Sequence, residues 1–167
     1  MIKNDIPSQR YSDGMFVEVQ AMGSVGISSS CSAEIGMWPL KKNRILLVDD
    51  DAPLRQATRL RLEQEGYECV EAEDGVDALT QVDRGLGVDV IISDYHMPAM
   101  DGLQLLRALS YRVNGQGIQV ILVSGNMTFE MERKALEMGA CAVLEKPLEY
   151  PKLFETLSRV LKDPFSP

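Results

Sequence analysis

Four short apolar runs in this chain of 167 residues end in polar groups able to do chemistry. Ile45-Leu46-Leu47-Val48 leads into Asp49-Asp50-Asp51, and Val90-Ile91-Ile92 into Ser93 and Asp94. Val120-Ile121-Leu122-Val123 leads into Ser124-Gly125-Asn126, and Ala142-Val143-Leu144 into Glu145-Lys146-Pro147. A charge at the mouth of a buried strand is costly unless something solvates or pairs it. Carboxylates crowded together repel, and their pKa values rise unless a cation joins them. One lysine cannot neutralise so many acids. A divalent, oxygen-seeking ion can, and Mg²⁺ prefers one or two carboxylates together with waters and a phosphoryl group. The set therefore fits phosphate chemistry. The metal screens the repulsion, an aspartate attacks or is modified, and the hydroxyl and the ammonium receive phosphoryl oxygens.

Such a cluster needs a scaffold that brings distant segments to one edge. Unbroken apolar runs suit strands covered on both faces, as in parallel sheets. Tyr67-Glu68-Cys69-Val70-Glu71-Ala72 adds a weaker, alternating strand candidate. Between the runs lie helical stripes: Leu105, Leu106 and Leu109; Met131, Ala135 and Met138; and, most clearly, Leu153, Phe154, Leu157, Val160 and Leu161. Each stripe is ordinary core. Gly66, Gly115 and Gly139 fall where helices would end. The pattern predicts a βαβαβαβαβα order and, with right-handed crossovers, a doubly wound α/β parallel sheet with helices on both faces. In such sheets the ligand crevice lies beyond the carboxyl ends of the strands, where the polar residues fall.

Composition removes other classes. Hydrophobic residues make up 45% of the chain, enough for a core, and the net charge of −8 argues against a nucleic-acid surface. The apolar runs are far shorter than the ~20 residues of a membrane helix, and no basic segment precedes an apolar one at the N-terminus. The cysteines are Cys31, Cys69 and Cys141, with no CxxC pair and His96 as the only histidine, so no zinc site is indicated. Unclustered, buried thiols fit a reducing cytoplasm. Residues 1–43 read as a flexible extension, with Gly23-Ser24-Val25-Gly26-Ile27-Ser28-Ser29-Ser30 within it, and residues 164–167 as a tail.

The stretches ILLVDDD, DVIISDYHMPAMDG, LVSG and LEKP, with EAEDGVDAL after the second strand, carry a family resemblance. Singly each is weak. Their joint spacing is specific: 44 residues from Asp50 to Asp94, 30 more to Ser124 and 22 more to Lys146. Over residues 44–163 the chain resembles the receiver (CheY-like) domain of two-component response regulators. The resemblance implies a flavodoxin-like five-stranded sheet of order 2-1-3-4-5 and a phosphoryl group accepted on Asp94. The donor would be a phosphohistidine on a histidine kinase or histidine phosphotransfer protein. It further implies Mg²⁺ held by Asp50, Asp94 and the backbone carbonyl of His96, with Asp49 acting mostly through a metal-bound water. Ser124 and Lys146 would bind phosphoryl oxygens. Asp51, beyond the usual acidic pair, is a helix N-cap.

His96 lies two residues after Asp94, where side chains of this family overhang the phosphoryl group. With Asn126 it would limit access of attacking water and set the phosphate lifetime; the plainer alternative is an exposed loop histidine. Val143 departs from the family's Tyr or Phe three residues before the lysine, and a valine cannot swing as an aromatic switch does. With no segment read after Pro167, the expectation is a stand-alone or excised receiver. It would signal to an unknown downstream protein, pass the phosphoryl group on, or form a phosphorylation-dependent homodimer. It would contact neither nucleic acid nor membrane and would catalyse only its own phosphorylation and dephosphorylation. Two competing readings are a phosphatase of the haloacid dehalogenase type, for which Pro53 sits where Thr or Val belongs, and a pseudo-receiver that only binds partners.

Overall fold

The computed structural model describes residues 42–111 and 117–162. Most of the expected N-terminal extension, Gly115 and the C-terminal tail lie outside them. The elements run β1 (Arg44–Val48), α1 (Ala52–Gln64), β2 (Glu68–Ala72), α2 (Gly75–Asp83), β3 (Val90–Asp94), α3 (Gly102–Ser110), β4 (Gln119–Ser124), α4 (Phe129–Glu137), β5 (Ala142–Glu145) and α5 (Tyr150–Lys162). All strand pairs are parallel, as the apolar runs predict, and the sheet order is β2-β1-β3-β4-β5, as the family resemblance implies.

The unbroken apolar runs are explained by two cores, one on each face of the sheet. Side chains alternate along a strand. Leu46 and Val48 of β1, Ile91 of β3, and Val120 and Leu122 of β4 join the core under α2, α3 and α4. Ile45 and Leu47, Val90 and Ile92, and Ile121 and Val123 join the core under α1 and α5. The predicted stripes face these cores: Leu105, Leu106, Leu109 and Ala135 on the first side, Leu153, Leu157 and Val160 on the second. Cys69 and Cys141 are half-buried rather than buried, each beside the second core.

Local signals fix where the helices begin. Asp51 caps α1 by accepting from the Leu54 amide, and Asp74 caps α2 from Val76 and Asp77. Thr128 caps α4, and Asp101 forms a reciprocal capping box with Gln104 at α3. α1 and α4 stop just before Gly66 and Gly139, whose φ values of 92° and 99° an L side chain rarely adopts. Because every strand runs the same way, all five carboxyl ends share one edge. At β1 and β3 successive connections leave in opposite directions, and that switch point opens a crevice.

Candidate functional site

Three aspartates meet at the switch point. Oxygen atoms of Asp49, Asp50 and Asp94 all lie within 4.8 Å of one another. β1 delivers the first two from a loop whose strand is clamped between β2 and β3. Asp94 is the last residue of β3, and the ladder continues past it through the Tyr95 amide, which donates to the Val123 carbonyl at 2.7 Å. Lys146 comes from the far side. Its amide extends the β4–β5 ladder by donating to the Ser124 carbonyl at 2.8 Å, and its ammonium donates to Asp94 Oδ2 at 2.6 Å and Asp49 Oδ2 at 2.9 Å.

The three acids are held differently. Asp49 is 14% exposed and Asp94 11%, so their ion pairs with Lys146 are well shielded from water. Every polar group of Asp49 is engaged. Its amide donates to the Ala72 carbonyl, Oδ1 accepts from the Asp51 amide, Oδ2 accepts from Lys146, and its carbonyl accepts from Arg55. Asp94 Oδ1 accepts from the His96 amide at 3.3 Å. Asp50 is exposed, and its carboxylate has no hydrogen-bond partner among the described residues. Burial alone would lower the Lys146 ammonium. Its bonds to Asp94 and Asp49 outweigh that and hold it above the usual lysine range.

One ammonium against three carboxylates leaves the cluster negative. The donor set is all oxygen, which suits a hard divalent cation. Opposite ligands of an ion with ~2.1 Å bonds stand about 4.2 Å apart, so a spread of up to 4.8 Å closes with small carboxylate rotations. Beside this cluster, at the end of β4, the Ser124 hydroxyl is fully buried and without a partner among the described residues. An orphaned buried hydroxyl is rare and costs stability, and this one is free to bond an oxygen that enters the crevice.

The structure thus gathers Asp49, Asp50, Asp94 and Lys146 at one end of the sheet and sets Ser124 on the neighbouring strand. His96 and Asn126 are exposed on the loops after β3 and β4, and the His96 ring stands 4.8 Å from that of buried Tyr95. Val143 is half-buried on β5, on the α4 side of the sheet. Asp51 serves the helix, as predicted. Sequence inspection missed two contributors. Arg55 reaches back from α1 to the Asp49 carbonyl and pairs with Glu71 of β2. Gly102 lets α3 start against the end of β3: a Cβ there would lie 2.5 Å from the Asp94 carbonyl oxygen. The Arg55 contact is to backbone, and its partner Glu71 is distant in sequence, so neither leaves a local pattern.

Comparison with known proteins agrees with this geometry. The family model of the response regulator receiver domain matches residues 45–158. The sensor histidine kinase RcsC of Salmonella typhi is 36% identical over 114 residues, which is 68% of this chain and 12% of that protein. RcsC of Escherichia coli matches to the same extent, so the chain spans 12% of the length of the curated relatives it matches. Among solved structures, the chemotaxis protein CheY4 of Vibrio cholerae superposes with a TM-score of 0.67 at 31% identity, covering 71% of this chain and 98% of that one. A CheY-like receiver domain protein from Methanospirillum hungatei gives a TM-score of 0.67 at 31% identity, covering 74% and 96%.

Proposed function

Because this chain belongs to the response regulator receiver family, we propose that Asp94 accepts a phosphoryl group from a phosphohistidine on a histidine kinase or phosphotransfer protein. The observation that carries this reading is the meeting of Asp49, Asp50 and Asp94 within 4.8 Å, with Lys146 bonded to two of them. An Asp94 carboxylate oxygen attacks phosphorus and the O–P bond forms. The P–N bond breaks, and the imidazole leaves with the bonding pair. Phosphoryl transfer asks mostly for alignment and charge stabilisation. Lys146 stands where a phosphoryl oxygen on Asp94 would develop charge, and Ser124 supplies an unused hydroxyl at the end of the adjacent strand.

Mg²⁺ is the cation proposed, held by Asp50, Asp94 and the His96 carbonyl; when bound it would neutralise charge on the phosphoryl oxygens. Asp49, whose carboxylate oxygens accept from the Asp51 amide and from Lys146, would act mostly through a metal-bound water and holds Lys146 in place. His96 and Asn126, exposed on the flanking loops, regulate access of water to the acyl phosphate. Output passes by contact with a downstream protein or by onward transfer of the phosphoryl group. The domain catalyses only its own phosphorylation and dephosphorylation, in the cytoplasm; among the described residues no helix is long and apolar enough to cross a membrane.

Incubation with acetyl phosphate and MgCl₂ should add one phosphoryl group, seen by intact mass. Asp94→Asn or EDTA should abolish the product. Equal labelling of Asp94→Asn would refute the assignment. Steady turnover of a phosphate ester, lost in Asp49→Asn and kept in Asp94→Asn, would point instead to a phosphatase.

A further inference from the structure

We propose that Arg55 is a positioning residue for the cation site: it braces the acidic loop against β2 and so sets where Asp50 presents its carboxylate. The inference rests on the Mg²⁺ reading above and deepens it. Arg55 lies one turn into α1 and is only 15% exposed at its side chain. Its guanidinium acts as a fork. Nη1 donates to the Asp49 carbonyl, and Nε donates to Glu71 Oε2 at 3.0 Å. The other oxygen of Glu71 accepts from Arg59 Nη1 at 3.0 Å, and Arg59 Nε donates to Glu63 at 2.8 Å. The fork is therefore anchored on the body of the domain. It lines the cleft beneath the cluster together with Asp49, Asp94, Lys146 and Thr58.

The carbonyl Arg55 holds belongs to the peptide that joins Asp49 to Asp50. A peptide unit is planar, so fixing its carbonyl direction fixes the direction in which the Asp50 Cα leaves. Asp50 has no hydrogen bond of its own among the described residues to set its place. Its position is inherited from its neighbours, and Arg55 is the side chain that reaches this peptide. An outer partner that orients a metal ligand changes metal affinity ~10–100-fold when removed.

Charge alone predicts the opposite sign. A guanidinium near the cluster repels a cation, so deleting it should tighten Mg²⁺ if electrostatics dominates. If positioning dominates, deletion weakens binding. Arg55→Lys separates the two further, because it keeps the charge but loses the planar fork that reaches the carbonyl and Glu71 together.

The test is a titration of the full chain with MgCl₂, following amide chemical shifts at Asp50 and Asp51, with thermal melting in EDTA as a check on folding. Arg55→Met should raise the Mg²⁺ dissociation constant about tenfold, and Arg55→Lys should also raise it. Both should move the Asp50 amide resonance before any metal is added. An unchanged or tighter Arg55→Met, or an Arg55→Lys at wild-type affinity, overturns the inference. Should Arg55→Met fail to fold, Arg55→Lys decides alone. A wild-type chain that binds no Mg²⁺ overturns the cation reading and this inference with it. Wild-type binding with unaltered variants overturns this inference only.

Discussion

Ser124 sits at the end of β4 with a hydroxyl that is fully buried and makes no hydrogen bond among the described residues. Leaving such a group unpaired costs ~1–3 kcal/mol. If the hydroxyl is kept for a phosphoryl oxygen, Ser124→Ala should raise the unfolding free energy of the unphosphorylated protein by about 1 kcal/mol while slowing phosphorylation. Urea unfolding and acetyl phosphate labelling measure the two effects, and a destabilised variant would show that the hydroxyl has a structural role instead. His96 presents a second residue-scale case. Its ring is exposed beside Tyr95, and its amide already serves Asp94. His96→Ala should alter the rate at which phosphorylated protein loses its label in MgCl₂; an unchanged decay removes the ring from the mechanism. The polar site residues were legible in the sequence because each breaks an apolar run at its end. Arg55 was not, since a surface-looking arginine on a polar stretch of α1 reveals nothing of a backbone carbonyl six residues earlier.

At the scale of elements, the carboxyl ends of the strands carry the chemistry and the helix starts press up against them. Gly102 opens α3 at one such approach. A Cβ there would stand 2.5 Å from the Asp94 carbonyl oxygen and 3.1 Å from the Tyr95 Cα, both backbone atoms. Neither can rotate away, so Gly102→Ala must displace α3 or the end of β3. A Cβ at Gly75 would also be crowded, by Met100 Cγ at 2.5 Å, Sδ at 2.8 Å and Cβ at 2.9 Å, but that crowding falls on Met100 and not on the end of β3. Gly102→Ala should therefore cost ~1–3 kcal/mol and reduce labelling of Asp94, whereas Gly75→Ala should leave labelling closer to wild type. Urea unfolding measures the cost and acetyl phosphate labelling ranks the pair; equal losses of labelling would show that the close approach to the end of β3 does not shape the site. Strands and amphipathic helices were readable because their periodicity reports local burial. The loop from Tyr95 to Met100 was not. Ala99 adopts φ 58° there, and the Met100 carbonyl accepts from the Gly75 amide, a contact between segments far apart in the chain.

The described residues form a sheet domain with a core on each face, and among them Glu63, Arg59, Glu71 and Arg55 form an ionic network that bridges α1 to β2 and meets the site through Arg55. The hydrogen bond from Arg59 holds the Glu71 carboxyl below its ordinary range; partial burial opposes this, and Arg55 adds to the lowering. The sign of the pH effect follows. A folded carboxyl below its unfolded value of 4.5 contributes stability at pH above 4.5, and the contribution is lost as pH falls through the folded value. Glu71→Gln should thus be less stable than the parent near neutrality, and the gap should close on acidification below 4.5. Urea midpoints taken across that range for both proteins decide it. A gap that stays constant would mean that Glu71 acts through packing and not through its charge. If the same neutralisation also weakened Mg²⁺ binding at neutral pH, then the brace on Arg55 and the stability of the α1–β2 edge would be one set of contacts, and the site would soften before the domain unfolds.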